Sequence, residues 1–199
     1  ENGKILDGDA MLAILATHMH AKGELAQATV VATIMSNLGL ERALSAQGIQ
    51  LVRTGVGDRY VVERMRQSGL NLGGEQSGHL LMLDHTTTGD GLLTALQVLA
   101  IVAETGKPLS ELGAVMQRVP QVLRSFAVSA KPDLAGLPKV QAAIDDGNKK
   151  MAGSGRIVVR YSGTEPKCRV MVEGDNDDLI TSVADTIQSV IVDAIGTRA

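Results

Sequence analysis

The sequence predicts an α/β protein in two parts. The first is a three-layer α/β domain, a mixed sheet with helices on both faces. The second is a smaller α+β domain with an antiparallel sheet and two helices. Three observations predict this. Helical and strand patterns alternate through residues 1–118. Near Val119-Pro120 the order changes to strand, helix, two paired strands, helix. Hydrophobic residues make up 44% of the 199, enough to fill a core in each part.

Gly8-Asp9, Gly57-Asp58 and Gly89-Asp90 each precede an apolar-periodic run, and the aspartates read as helix N-caps. The helices they open are expected at 9–21, 58–68 and 90–105, with a shorter one over 38–46. Strands are expected at 29–35, 49–54 and 80–83, where β-branched and aliphatic residues cluster. The change of pattern sets a domain boundary between Met116 and Pro120, giving residues 1–118 and 119–199. Beyond it come a strand over 122–128, a helix over 137–150, a hairpin and a helix over 179–195. At the start, Asn2-Gly3 is a hairpin signal with one apolar arm, Ile5-Leu6. A partner strand is therefore expected upstream, and the chain reads as a piece of a longer protein.

The net charge of −3 and the 2% aromatic content, with no Trp, argue against a nucleic-acid partner. A single cysteine rules out an internal disulfide and fits a reducing compartment. No apolar run reaches the ~18 residues of a membrane span, so a cytoplasmic protein with no membrane partner is expected.

The stretch VVRYSGTEPKCRVMVEG folds most simply as a hairpin with Tyr161 facing Cys168, Val159 facing Val170 and Ile157 facing Val172. That register sets Arg160 directly opposite Arg169, a like-charge pair that costs stability unless an anion sits between them. Guanidinium groups bind phosphate oxygens bidentately, and Ser162 and Thr164 add hydroxyl donors. Gly163 would let successive backbone N–H groups form an anion-binding nest. Lys167 stands beside the loop, as extra charge or as a solvated lysine. The competing reading is a solvated hairpin neutralised by Glu165 or Glu173. Cys168, on the apolar side of its strand, reads as a buried structural thiol.

A second stretch, LNLGGEQSGHLLM, packs Glu75, Gln76, Ser77 and His79 among Gly73, Gly74 and Gly78. A carboxylate, a hydroxyl and an imidazole on one turn suit a polyhydroxylated ligand. An ordinary glycine-rich turn would look the same by composition. His18 and His20 lie two apart on a helix and cannot share a metal, and His79 and His85 lack a zinc-like spacing.

Together these stretches resemble the α-D-phosphohexomutases. GGEQSGH is similar to the sugar-binding loop of that family, and RYSGTEPKCR to the phosphate-binding loop of its C-terminal domain. TGVGDRYVVERM, HTTTGDGLLTALQVL and CRVMVEGD resemble the bacterial branch acting on glucosamine phosphates more than the phosphomannomutase or phosphoglucomutase branches. The likeness spans the chain, as the third and fourth of four domains. It implies exchange between glucosamine 6-phosphate and glucosamine 1-phosphate through a phosphoserine enzyme and a bisphosphate intermediate. On this likeness Glu75 and Ser77 would bond sugar hydroxyls, with His79 contacting the ligand or fixing the loop. Arg160, Ser162, Gly163, Thr164 and Arg169 would hold the phosphate that is not reacting. Gly57-Asp58-Arg59 matches a segment near the site, so Arg59 is a further candidate, with a helix cap and an exposed arginine as the competing reading.

The chain also departs from the family pattern. Neither the phosphoserine motif nor the Asp-x-Asp-x-Asp-Arg loop that holds Mg²⁺ is present, and Asp7-Gly8-Asp9 reads as a helix start instead. The resemblance thus implies no catalytic or metal-binding residue here, magnesium and the reactive serine belonging to preceding domains. The alternative is a free-standing phosphosugar-binding module without chemistry.

Overall fold

The computed structural model describes residues 1–197, which form two compact units, residues 1–118 and residues from 119 onward. The first contains α1 (Gly8–Ala21), β1 (Thr29–Thr33), α2 (Leu38–Ser45), β2 (Gln50–Thr54) and α3 (Asp58–Ser68). It continues with β3 (Leu72–Gly74), β4 (Leu80–Met82), α4 (Gly91–Thr105) and α5 (Leu109–Gly113). The sheet order is β2-β1-β3-β4; β1 runs parallel to β2 and β3, and β4 closes the edge antiparallel to β3.

Alternation along the strands builds the layers. Val30 and Ala32 of β1, with Leu72, Leu80 and Met82, face a cluster filled by Leu12, Leu15, Leu40, Leu44, Val98 and Ile101. Val31 and Leu81 face the other side, against Val61 and Met65 of α3. The mixed sheet thus has helices on both faces. Leu12, Leu40, Leu44 and Leu72 are fully buried, each contributing ~1.5–3 kcal/mol of apolar transfer.

Two local expectations need correction. The N-cap of α1 is Asp7, whose carboxylate accepts from Ala10 N, while Asp9 is buried inside the helix. Its carboxylate turns inward to accept the N–H of Asn37 at 2.7 Å, tying α1 to the turn that opens α2. In α3 the cap is Gly57, at φ 128° and ψ 133°, and Asp58 is the first helical residue. Only Asp90 caps its helix as expected, accepting from Leu92 N and Leu93 N. Residues 1–7 pair with no strand among the described residues of this chain, and Ile5 is 92% exposed.

The second unit contains β5 (Gln121–Ala127), α6 (Pro138–Met151), β6 (Gly155–Tyr161), β7 (Lys167–Gly174) and α7 (Asp177–Ile195). Its sheet order is β5-β7-β6, antiparallel throughout. Cys168, Val170 and Val172 share one cluster with Val140, Met151, Val183 and Ile187 of the two helices. Burial pushes the Cys168 thiol up, as expected for a structural cysteine. Among the described residues no helix is long and apolar enough to cross a membrane.

Candidate functional site

In the first unit the sugar-loop candidates sit on a tight turn between β3 and β4. Gly73 and Gly74 are strand residues, not part of a loop. A side chain at Gly73 would meet Met65 Sδ at 2.7 Å and Val31 O at 2.8 Å, so glycine there permits close packing of α3 on the sheet. The turn itself is Glu75–Gly78, closed by Gly78 N donating to Glu75 O and Glu75 N to His79 O, both at 3.0 Å. Gly78 takes φ +96°.

Three segments converge on this turn. Gly8, at the start of α1, donates its N–H to Gln76 O at 3.0 Å. A Cβ at Gly8 would lie 2.2 Å from Glu75 O, so the helix start is pressed against the loop's backbone. Gly57 N donates to Glu75 Oε1 at 3.1 Å, which holds one carboxylate oxygen and leaves the other without a hydrogen-bond partner among the described residues. Asp58 Oδ2 lies 3.4 Å from His79 Nε2, and the imidazole ring packs on Gly89, where a Cβ would come within 2.3 Å. Ser77 is exposed at the tip. The Arg59 guanidinium lies over the Tyr60 ring, 4.4 Å from its centroid, and donates to the Tyr60 hydroxyl.

In the second unit the hairpin register is the expected one, with Tyr161 opposite Cys168, Arg160 opposite Arg169, Val159 opposite Val170 and Ile157 opposite Val172. Arg169 donates to Glu165 Oε2 at 3.2 Å, and Lys167 to Glu165 Oε1 at 2.5 Å. Lys167 is thus ion-paired, and its hydrogen bond and charge first, then the charge of Arg169, lower the Glu165 carboxyl pKa. Glu173 instead pairs with Arg156 through Nε at 3.0 Å and Nη2 at 2.6 Å. Among the described residues Arg160 has no acidic partner, and its Nε is buried without a hydrogen bond. Burial, then the charge of Arg169, holds its guanidinium below the usual range.

Ser162 is buried and its hydroxyl accepts from Glu165 N at 3.3 Å, while Gly163 and Thr164 are exposed. Gly163 is not in the left-handed region, so the glycine-dependent backbone nest is not formed. Side-chain donors from outside the loop lie beside it. Two were not evident from the sequence. Lys131 donates from Nζ to Ser162 O at 2.6 Å, and Ser125 stands beside Arg169 in the same row of the sheet. Strand pairing supplies the signal for Ser125; no local motif marks Lys131.

The residues present do not fit a magnesium ion. No group of three or more His, Cys, Asp or Glu side chains able to hold a metal occurs among the described residues. Asp7 is occupied by Ala10 N and lies 3.6 Å from Arg118, and Asp9 is buried against Asn37.

Two family models match: the phosphoglucomutase/phosphomannomutase α/β/α domain III over residues 7–119, and the C-terminal domain of the same family over residues 101–190. The chain belongs to the phosphoglucomutase/phosphomannomutase family of phosphohexomutases. Within it, the chain is 50% identical over 198 residues to phosphoglucosamine mutase of Syntrophotalea carbinolica, covering 100% of this chain and 43% of that protein. It is 57% identical over 184 residues to phosphoglucosamine mutase of Magnetococcus marinus, covering 92% and 38%. The chain therefore spans about two fifths of these relatives' length. Among solved structures, Aspergillus fumigatus N-acetylphosphoglucosamine mutase in complex with GlcNAc-6P and magnesium aligns at TM-score 0.80 and 20% identity, over 94% of this chain and 47% of that one. A serine-to-alanine variant of the same fungal enzyme, in complex with glucose 1,6-bisphosphate, aligns at TM-score 0.80 and 22% identity, over 98% and 44%. At these identities the structural likeness speaks for the fold.

Proposed function

We propose that this chain is the sugar- and phosphate-holding portion of a phosphoglucosamine mutase, an isomerase exchanging glucosamine 6-phosphate and glucosamine 1-phosphate. The observation that carries the reading is identity of about one half, along the whole chain, to relatives bearing that name. Arg160, a half-buried cation facing a second cation and, among the described residues, without a carboxylate of its own, supports it independently.

Each loop has a task. Glu75, with one oxygen fixed by Gly57 N and the other free, accepts sugar hydroxyl protons, and Ser77 donates or accepts at the rim. His79, steadied by Gly89 and Asp58, fixes the turn or donates to the ligand. In the second unit Arg160, Arg169, Ser162 and Thr164 hold the phosphate that is not transferred, with Gly163 giving open access. Lys167 and Lys131 are auxiliary cations there, and Arg59 is a further candidate cation within the first unit. Fixing the substrate this way contributes through positioning, a large share of phosphoryl-transfer catalysis.

The reactive serine and the magnesium ion, which neutralises charge on the transferring phosphoryl group, belong to preceding domains of the full-length protein. This chain by itself binds without turning over, in the reducing, cytoplasmic setting its single buried thiol suits. The test is an assay of glucosamine 1-phosphate formation by the full-length protein and by this chain. Turnover by the longer protein and none by the chain is expected. Turnover by the chain alone, or none by the longer protein with its substrate, would overturn the reading.

A further inference from the structure

The turn from β3 to β4 presents groups for hydroxyls, but a glucosamine phosphate also carries an amino group. Like an α-amino group it is mainly protonated below about pH 8. A site that distinguishes it from a neutral sugar needs an anion at the loop. Three carboxylates are close by. Glu75 has one oxygen held by Gly57 N and serves the hydroxyls. Asp90, next to the Gly89 that packs on His79, has Oδ1 bound by both Leu92 N and Leu93 N.

Asp58 differs from both. It is the first residue of α3, so its backbone is fixed by the helix and by the adjacent Gly57–Glu75 bond. Its Oδ1 accepts only the neighbouring N–H of Arg59, at 2.7 Å, and Oδ2 points to His79 Nε2 at 3.4 Å. The side chain is 57% exposed. The next residue, Arg59, does not neutralise it, because its guanidinium is turned onto the Tyr60 ring and hydroxyl. Asp58 is therefore an exposed carboxylate, aimed at the last residue of the sugar loop, with no lysine or arginine partner among the described residues.

We infer that Asp58 is the specificity residue of the sugar loop, reading the 2-ammonium group of the substrate. It acts by charge: an ammonium gains an ion pair with the carboxylate as well as a hydrogen bond, whereas a 2-hydroxyl or a 2-acetamido group gains the hydrogen bond alone. The inference rests on the proposed sugar-binding role of the Glu75–His79 turn and names what that site selects.

The experiment is an amide-resolved NMR titration of this chain with glucosamine 6-phosphate, N-acetylglucosamine 6-phosphate and glucose 6-phosphate, repeated for Asp58→Asn. Asparagine keeps the size and the helix-start acceptor, and the spectrum itself reports whether the fold is intact. Glu63→Gln, further along α3, is the control for a general field effect. The wild-type chain is expected to prefer the ammonium-bearing sugar by about fivefold or more, as one partly exposed charge pair allows. Asp58→Asn removes that preference while still binding glucose 6-phosphate, and Glu63→Gln keeps it. A preference that survives Asp58→Asn, or a wild type that binds the three ligands equally, overturns this inference and leaves the sugar site standing. No response of the Glu75–His79 turn to any of the three overturns both.

Discussion

Arg160 and Arg169 stand directly opposite each other in the β6–β7 ladder, and among the described residues only Arg169 of the two has a carboxylate partner, Glu165 at 3.2 Å. Directly opposed like charges cost roughly 0.2–1 kcal/mol in a sheet. Replacing Arg160 should therefore leave the unliganded second unit as stable or slightly more so. On the proposed phosphate role the same change removes a charge-assisted contact, so Arg160→Ala should weaken inorganic phosphate binding by about tenfold or more. Calorimetric titration and thermal melts of one preparation measure both. A destabilised variant that still binds phosphate would show that Arg160 serves the fold instead.

Glu165 competes with any bound phosphate for Arg169 and Lys167. Glu165→Gln frees both cations and should tighten phosphate binding by about two- to fivefold, the scale of an exposed ion pair. The gain should shrink as salt is raised and the Debye length shortens. Weaker binding in this variant would place Glu165 among the groups that shape the loop for its ligand.

Gly8 is where α1 meets the Glu75–Gly78 turn, and a Cβ there would lie 2.2 Å from Glu75 O and 2.7 Å from Gly78 N. Gly8→Ala should cost about 1–3 kcal/mol or more by overpacking and displace the Glu75–His79 turn. Sugar-induced shifts at that turn should disappear. Gly91→Ala, in open space within α4, is the matched control and should be neutral or stabilising. Urea denaturation and the sugar titration distinguish the two variants. Equal behaviour would mean that the approach of Gly8 to the loop is not constrained.

Asp9 gives a pH dependence with a definite sign. Burial, the largest influence, pushes its carboxyl up from 3.8 to about 6, and the Asn37 N–H and Ser36 only partly oppose this. Above about pH 6 the group is charged in both folded and unfolded chains, and burying the charge costs on the order of 3 kcal/mol. As pH falls from 6 towards 4 the folded form takes up its proton first and the cost fades. The wild-type first unit should thus gain stability from this group on acidification through that window. Asp9→Asn should be more stable than wild type near pH 7.5 and close to it near pH 4. Urea midpoints at the two pH values check it, and a difference that is the same at both would refute it.

Much of this architecture was legible in the sequence, and the failures have physical causes. The register of the arginine hairpin followed from one requirement, that Ile157, Val159, Val170 and Val172 share a face, and the structure pairs them so. Gly73-Gly74 read as loop because glycine has low strand propensity. Glycine stands in the strand at 73 because only hydrogen fits beside Met65 and Val31 O, and at 74 because a Cβ would crowd His79 O, tertiary constraints absent from local pattern. Asp9 looked like a cap because aspartate before an apolar run usually is one. Its burial depends on Asn37, 28 positions away. The same limit hid Lys131, whose contact with Ser162 spans 31 positions. Asp58 was visible in the sequence, but its closeness to His79 was not.

The central claim is that the two arginines face each other to hold a phosphate, and that the Glu75–His79 turn holds the sugar. The most direct measurement is an amide-resolved NMR titration of this chain with glucosamine 1-phosphate, with inorganic phosphate as the control. Shifts over Arg160–Arg169 with both ligands, and over Glu75–His79 with the sugar phosphate alone, are predicted. An arginine loop silent at ~10 mM of either ligand, a level that reveals binding of only a few kcal/mol, would contradict the account and return the hairpin to an ordinary solvated one.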